Sequence, residues 1–205
     1  MSDNKLKIIE NTPIIYTDRL ILRPFSESDI YDLFLILKDK EVNAFLPWFP
    51  LETLEQAHTH LHQNYLKYYN QPSAYRYAVC LKSDNCAIGY INIAGDTDNH
   101  DFGYGLMKNF WHKGIVTEAG MAVVERLKNA GYDYITATHD VKNSRSGEVM
   151  KKLGMKYCYS YIEQWQPKDI SVTFRMYQLN FNETDEKVFM KYWYKYPEHF
   201  IEYDI

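Results

Sequence analysis

The chain has 205 residues, 46% of them hydrophobic, and a formal net charge of −4 at pH 7, so one domain, or one domain with an appendage, can bury a sizeable core. The slight acidity gives no basic footprint for a nucleic-acid backbone, and no nucleic-acid partner is expected. Met1-Ser2-Asp3-Asn4-Lys5 lacks the apolar core of a signal peptide, no apolar run approaches the ~18–20 residues of a membrane helix, and Cys80, Cys86 and Cys158 make neither a metal-ligand pattern nor a disulfide framework; a soluble protein of the reducing cytoplasm, with no membrane partner, is expected.

In chain order, Arg19 to Pro24 alternates as a first strand, and Ser26-Glu27-Ser28-Asp29 supplies N-cap chemistry for a helix carrying Leu33, Phe34 and Leu37. Phe45-Leu46-Pro47-Trp48-Phe49-Pro50 cannot continue that helix, because proline lacks an N–H donor, and reads as an apolar loop. Thr53 and Gln56 have capping-box spacing and open a second helix running to about Tyr69. Tyr75 to Leu81 and Ala87 to Ala94 form a hairpin across Ser83-Asp84-Asn85, and Phe102 to Met107 reads as the fourth strand. Ile115, Ala119, Ala122, Val123 and Leu127 recur on one helical face. Tyr134 to His139 is a fifth strand, followed by a helix from Asn143 to a stop at Gly154. Lys156 to Gln164 and Ser171 to Leu179 pair around the turn Gln166-Pro167-Lys168-Asp169. Beyond the polar stretch Asn182-Glu183-Thr184-Asp185-Glu186, the residues Val188, Phe189, Tyr192, Trp193, Tyr196 and Phe200 would expose a large apolar patch if solvated. The tail is therefore expected to fold back as a helix, a partner-binding arm or dimer contact being the alternative.

Two turns carry chemistry. Trp111-His112-Lys113-Gly114 lies between a strand and a helix, so unpaired N–H groups and the helix dipole favour a phosphate or pyrophosphate beyond Ile115, with Gly114 allowing close approach and Lys113 adding a mobile charge. Asn143, at the start of the next helix, is either an N-cap or a ligand contact. Glu118, near a helix N-terminus, stabilises its turn electrostatically.

The order strand, glycine turn, helix, strand, Asn143-Ser144-Arg145-Ser146 helix and Leu153-Gly154-Met155 resembles the GNAT family of acetyl-CoA-dependent N-acetyltransferases, most closely its RimJ/RimL-like branch. Thr17-Asp18-Arg19-Leu20-Ile21-Leu22-Arg23-Pro24 is similar to that branch's first strand, and Thr117-Glu118-Ala119 to its helix start. The resemblance runs from about Thr17 to Phe181. It implies an α/β (α+β) fold with a mixed central sheet of about six to seven strands, helices on both faces, and a cleft between the fourth and fifth strands. The division expected is a GNAT domain over residues 14–181 and an aromatic extension over 182–205, packed on the domain or at a homodimer contact.

The resemblance also implies transfer of acetyl from acetyl-CoA to a primary amine, by direct attack in a ternary complex. It places the thioester at Leu106 and Met107, beside Gly105, and the pyrophosphate at His112, Lys113, Gly114, Ile115, Val116 and Thr117. His112 and Val116 stand where the family has smaller residues. Asn143 matches the pantetheine-contacting asparagine, and Ser146 the serine proposed to protonate the thiolate; otherwise both are ordinary first-turn residues. Met150 occupies the position of a tyrosine acid in many relatives and cannot donate a proton. Asp101 is the preferred base; His100, His139 and water are alternatives, His100 facing away from Asp101 by strand alternation. Phe45 and Trp48 shape the acceptor pocket or pack in the core. His58 and His62 are one helical turn apart without a third ligand at suitable spacing, so no metal is expected. The acceptor stays open among a protein N-terminus, an aminoglycoside-like compound, a polyamine and a free amino acid. A CoA-binding module without turnover is the alternative to an enzyme.

Overall fold

The computed structural model describes residues 11–71, 75–93, 98–182, 186–203 and 205; Met1–Lys5, Ala94 and Glu183-Thr184-Asp185 lie outside the described residues. Strands β1 (Ile15–Tyr16), β2 (Leu20–Arg23), β3 (Tyr75–Leu81), β4 (Ala87–Ile93) and β5 (Phe102–Leu106) form one antiparallel sheet in that order. Strands β6 (Tyr134–Asp140), β7 (Lys156–Trp165), β8 (Ile170–Asn180) and β9 (His199–Phe200) form a second, ordered β6-β8-β7-β9. A single parallel bridge, Asp101 to Thr136, joins them, with the Thr136 N–H donating to the His100 carbonyl at 3.3 Å. Setting aside the two-residue β1 and β9, seven strands remain among the described residues, the number expected, but they form two antiparallel sheets linked by this isolated parallel bridge and not one mixed sheet, because β5 and β6 diverge beyond it.

Alternation along β3 explains the layers. Tyr75, Tyr77 and Val79 join one core with Ala119, Val123 and Leu127 of α3 (Ile115–Ala130), whereas Ala78 and Cys80 join another with Leu33, Ile36 and Leu61 of α1 (Ile30–Lys38) and α2 (Leu54–Asn64). Each face of the first sheet thus carries helices. Helix α4 (Ser144–Lys152) lies against β6, and Gly147 lets it come close: a Cβ there would sit 2.7 Å from His139 Nε2. Helix α2 ends at Asn64, short of Tyr69, because Tyr65 leaves helical geometry (φ −130, ψ −68) to bury its ring on Phe25, 4.5 Å between centroids.

The tail folds back, but not as one helix. Pro197 follows a five-residue helix, α5 (Lys191–Lys195), and forces Tyr196 into extended geometry; the chain then pairs with β7 as β9. No helix among the described residues is long and apolar enough to cross a membrane.

Candidate active site

Beyond the Asp101–Thr136 bridge, β5 and β6 separate into a cleft of about 800 Å³. The Met107 N–H donates to the Ile88 carbonyl at 2.8 Å, so the alternation of strand donors turns the Leu106 N–H away from β4, toward the opening. The Leu106 carbonyl accepts from Trp111 Nε1 at 2.8 Å, which folds the following turn back over the strand end. At the wide end stand the N-termini of α3 and α4. The first intrahelical bond of α3 runs from the Glu118 N–H to the Gly114 carbonyl, which leaves the N–H groups of Ile115, Val116 and Thr117 without intrahelical partners. His112 (φ 60) and Gly114 (φ 73) both take left-handed backbone to make the turn.

Glu118 holds this turn to the first sheet. Its carboxylate accepts from the Thr17 hydroxyl, from the Arg19 N–H at 3.0 Å and from Arg19 Nε at 2.7 Å, while Arg19 Nη1 donates to the Lys113 carbonyl at 2.9 Å. Burial pushes the Glu118 carboxyl up, but these donors outweigh it and hold it below its ordinary range. Lys142, Arg145 and Lys152 line the cleft, with the Arg145 guanidinium over the Trp111 ring at 5.3 Å. Two expected positions do not line it. Lys113 is spent on Arg19 through its carbonyl, and its ammonium lies 5.4 Å over the Phe110 ring. Met107 is committed to β4. Leu106, His112, Gly114, Ile115, Val116, Thr117, Asn143 and Ser146 do line it.

Asn143 caps α4, its Oδ1 accepting from the Ser146 N–H at 3.4 Å, and it borders the cleft as well. Ser146 Oγ lies 2.7 Å from the Tyr104 hydroxyl, which donates to the Ser146 carbonyl at 2.8 Å. With the phenolic proton on that carbonyl, the serine proton points at the tyrosine oxygen. Burial raises the Tyr104 pKa and keeps the phenol protonated. The sequence reading missed Tyr104; alternation from buried Phe102 was the available signal. Met150, at the family's tyrosine position, is buried in the core.

A second pocket of about 350 Å³ adjoins the cleft, and Phe45, Tyr104, Asn143 and Ser146 border both. Phe45, Trp48, Trp165 and Phe174 give it aromatic walls. Asp101 lies on its floor, where desolvation pushes the carboxyl up to about 6, and Oδ1 is buried without a hydrogen-bond partner. His139 also lines it: Nδ1 lies 2.8 Å from the Asp140 carbonyl and so carries the hydrogen, leaving Nε2 as an unpartnered acceptor; burial lowers its pKa. His100 does not share this wall, its ring packing on Tyr132 and Tyr134 at 4.8 and 5.3 Å.

The absence of a third histidine-site ligand needs correcting. Glu27, distant in sequence, accepts from His62 at 2.7 Å and lies 3.8 Å from His58. The three ligand atoms lie within 4.8 Å of one another, all on exposed residues outside both pockets.

A sheet split by a cleft, with two helix N-termini at its open end and a carboxylate and a hydroxyl pair beside it, defines a group-transfer enzyme of the GNAT type. The profile of the GNAT acetyltransferase domain matches residues 19–156, and the chain belongs to that family of acetyltransferases. It is 26% identical over 148 residues, 70% of this chain and 83% of the relative, to an uncharacterized N-acetyltransferase, YoaA, of Bacillus subtilis strain 168. Its fold is similar to that of a GNAT-family acetyltransferase from Bacillus anthracis (TM-score 0.72, 22% identity, 83% of this chain and 100% of that one). It is also similar to RimL, a ribosomal alpha-N-protein acetyltransferase solved with coenzyme A (TM-score 0.72, 20% identity, 82% and 98%).

Proposed function

We propose that residues 14–181 form a RimJ/RimL-like N-acetyltransferase domain that moves acetyl from acetyl-CoA to a primary amine by direct attack in a ternary complex. The observation carrying this reading is the junction at Ser146 and Tyr104, bordered on one side by the cleft with free helix N–H groups and on the other by the pocket holding Asp101. Three free cysteines suit work in the cytoplasm.

Acetyl-CoA, when bound, supplies a thioester carbonyl and a thiolate leaving group. The N–H groups of Ile115, Val116 and Thr117, backed by the α3 dipole, fit its pyrophosphate, and Lys142 and Arg145 add positive charge. A Cβ on Gly114 would meet nothing nearer than Arg19 Nη2 at 3.7 Å, so the turn leaves backbone room for phosphate oxygens. The Leu106 N–H polarises the thioester carbonyl. Asp101, ionised above about pH 6, takes the proton of the incoming amine. At rest Tyr104 holds the Ser146 hydroxyl; on reaction that hydroxyl turns to the departing sulfur and gives it a proton, and Ser146 regains one from solvent in the open cleft.

The test measures thermal stabilisation by acetyl-CoA and thiol release with a panel of primary amines. Stabilisation with thiol release supports the reading; absence of both in folded protein overturns it. Stabilisation without release on any amine would make the protein a CoA-binding module, to which the bulk of His112 and Val116 in the turn would then belong.

A further inference from the structure

The acceptor pocket holds an unusual share of unsatisfied polar atoms. Arg76 Nε, Asn92 Oδ1 and Asp101 Oδ1 are all buried side-chain atoms without a hydrogen-bond partner, and all three residues line it. Buried polar groups are ordinarily paired, because an unmade hydrogen bond leaves the full cost of desolvation unrepaid. Two of these atoms accept hydrogen bonds and one donates. The donor is also a full charge: the Arg76 guanidinium stacks on Tyr68 at 3.8 Å and has no carboxylate partner among the described residues.

Strand register arranges these groups along one wall. Arg76 pairs with Asn92, and Asn92 with Gly103, so the three share a face of the sheet, with Asp101 two residues before Gly103. Gly103 leaves the row open: a Cβ there would meet only the Asn92 carbonyl oxygen at 4.0 Å. Cationic and acceptor-rich ends therefore lie on one floor beneath aromatic walls.

The two aromatic walls are tied together beside the pocket. Lys168, at the tip of the β7–β8 hairpin, donates to the carbonyls of Asn43 and Ala44 at 3.1 and 3.3 Å. The hairpin that carries Trp165 is thereby joined to the loop that carries Phe45 and Trp48.

We propose that the acceptor is a small amino acid with an apolar side chain, its carboxylate held by Arg76 and its amine by the acceptor groups around Asp101. The inference rests on the acetyl-transfer reading and deepens it. A decarboxylated amine would leave the guanidinium unpaired, and a peptide N-terminus offers a neutral amide where the carboxylate should sit.

The full chain, saturated with acetyl-CoA, is assayed for thiol release on phenylalanine and leucine, on phenethylamine and isoamylamine, which lack only the carboxylate, and on peptides beginning with the same residues. The proposal expects kcat/KM for the amino acids at least tenfold above both other classes. Arg76→Met should abolish that preference, raising KM for the amino acid tenfold or more while leaving the rate on the decarboxylated amine within about threefold. Gly103→Leu, which fills the floor, should stop turnover of all acceptors while stabilisation by acetyl-CoA persists. Equal rates on amine and amino acid, or a peptide preferred over both, overturn the proposal while the transfer reading stands. Release with no acceptor at all overturns both.

Discussion

In the proposed mechanism Asp101 is a carboxyl that serves chemistry at the expense of stability. Desolvation raises its pKa to about 6 in the fold, above the ordinary value of 3.8. The folded chain therefore holds this proton more tightly than the unfolded chain, so the contribution to stability is fully present below about pH 4 and is lost as pH rises through about 6. Asp101→Asn is expected to stabilise the protein by about 1–3 kcal/mol at pH 8, measured by urea unfolding, and to flatten the pH dependence of stability between pH 4 and 7. The same substitution should lower kcat/KM for the amine by about 10²-fold and remove the rise in rate through pH 6. A rate unchanged at pH 8 would remove Asp101 from the mechanism. Tyr104 is a positioning residue in the proposed mechanism. Tyr104→Phe deletes the partner of Ser146 Oγ, and kcat should fall about tenfold with the acetyl-CoA KM nearly constant, at a cost of about 1 kcal/mol in stability. A parallel loss of kcat and acetyl-CoA affinity would point instead to a purely structural role.

The start of α3 depends on an element remote in sequence. Glu118 binds Thr17 and Arg19, so the segment entering β2 is tied to the turn proposed to hold the pyrophosphate. Glu118→Ala should cost about 1–2 kcal/mol and weaken acetyl-CoA severalfold by isothermal titration; full affinity would show that the turn holds itself. Arg19 is about half exposed, so solvent screening keeps the ion-pair share of that loss small. Features of this kind divide what was legible in the sequence from what was not. The Thr53–Gln56 box, the α3 stripe and the Gly154 stop are local patterns, and each appears where its spacing placed it. Tyr104 on Ser146, Lys168 on the Asn43 loop and Glu27 on His62 join residues 35 to 125 positions apart, and no local spacing encodes them. Lys113 does not line the cleft because the direction of a lysine in a turn depends on its neighbours; here Arg19 takes the carbonyl and the Phe110 ring faces the ammonium.

At the scale of the molecule, two sheets meet at one parallel bridge, and the tail closes that joint. Tyr196 stacks flat on Tyr161 of β7 (4.7 Å, 6° between planes), Tyr159 donates to the Phe189 carbonyl at 2.7 Å, and Glu202 pairs with Arg175 of β8. From the same segment, the Tyr192 hydroxyl accepts from Asn99 at 2.6 Å and Lys191 pairs with Asp98, both just before Asp101. The tail thus spans the second sheet and the entry to β5, on either side of the point where the cleft begins. Removing residues 182–205 should expose the aromatic face of β7 and β8, each uncovered ring costing about 1.5–3 kcal/mol. Lower urea midpoints and self-association on size exclusion are expected. Tyr192→Phe is the finer probe, since it removes one hydrogen bond at constant shape: about 1 kcal/mol should be lost, with a raised acceptor KM because the Asp101 segment is less firmly held. The Arg175–Glu202 pair adds a pH signature. The hydrogen bond from Arg175 depresses the Glu202 carboxyl below its ordinary 4.5, so its stabilisation holds above about pH 4.5 and fades as acid titrates it in the fold. If the truncated chain kept both its midpoint and its kinetics, the tail would be a passive cover and the joint would hold through the Asp101–Thr136 bridge and the bonds from the Thr136 and Tyr134 hydroxyls to the Asn99 and Asp98 carbonyls.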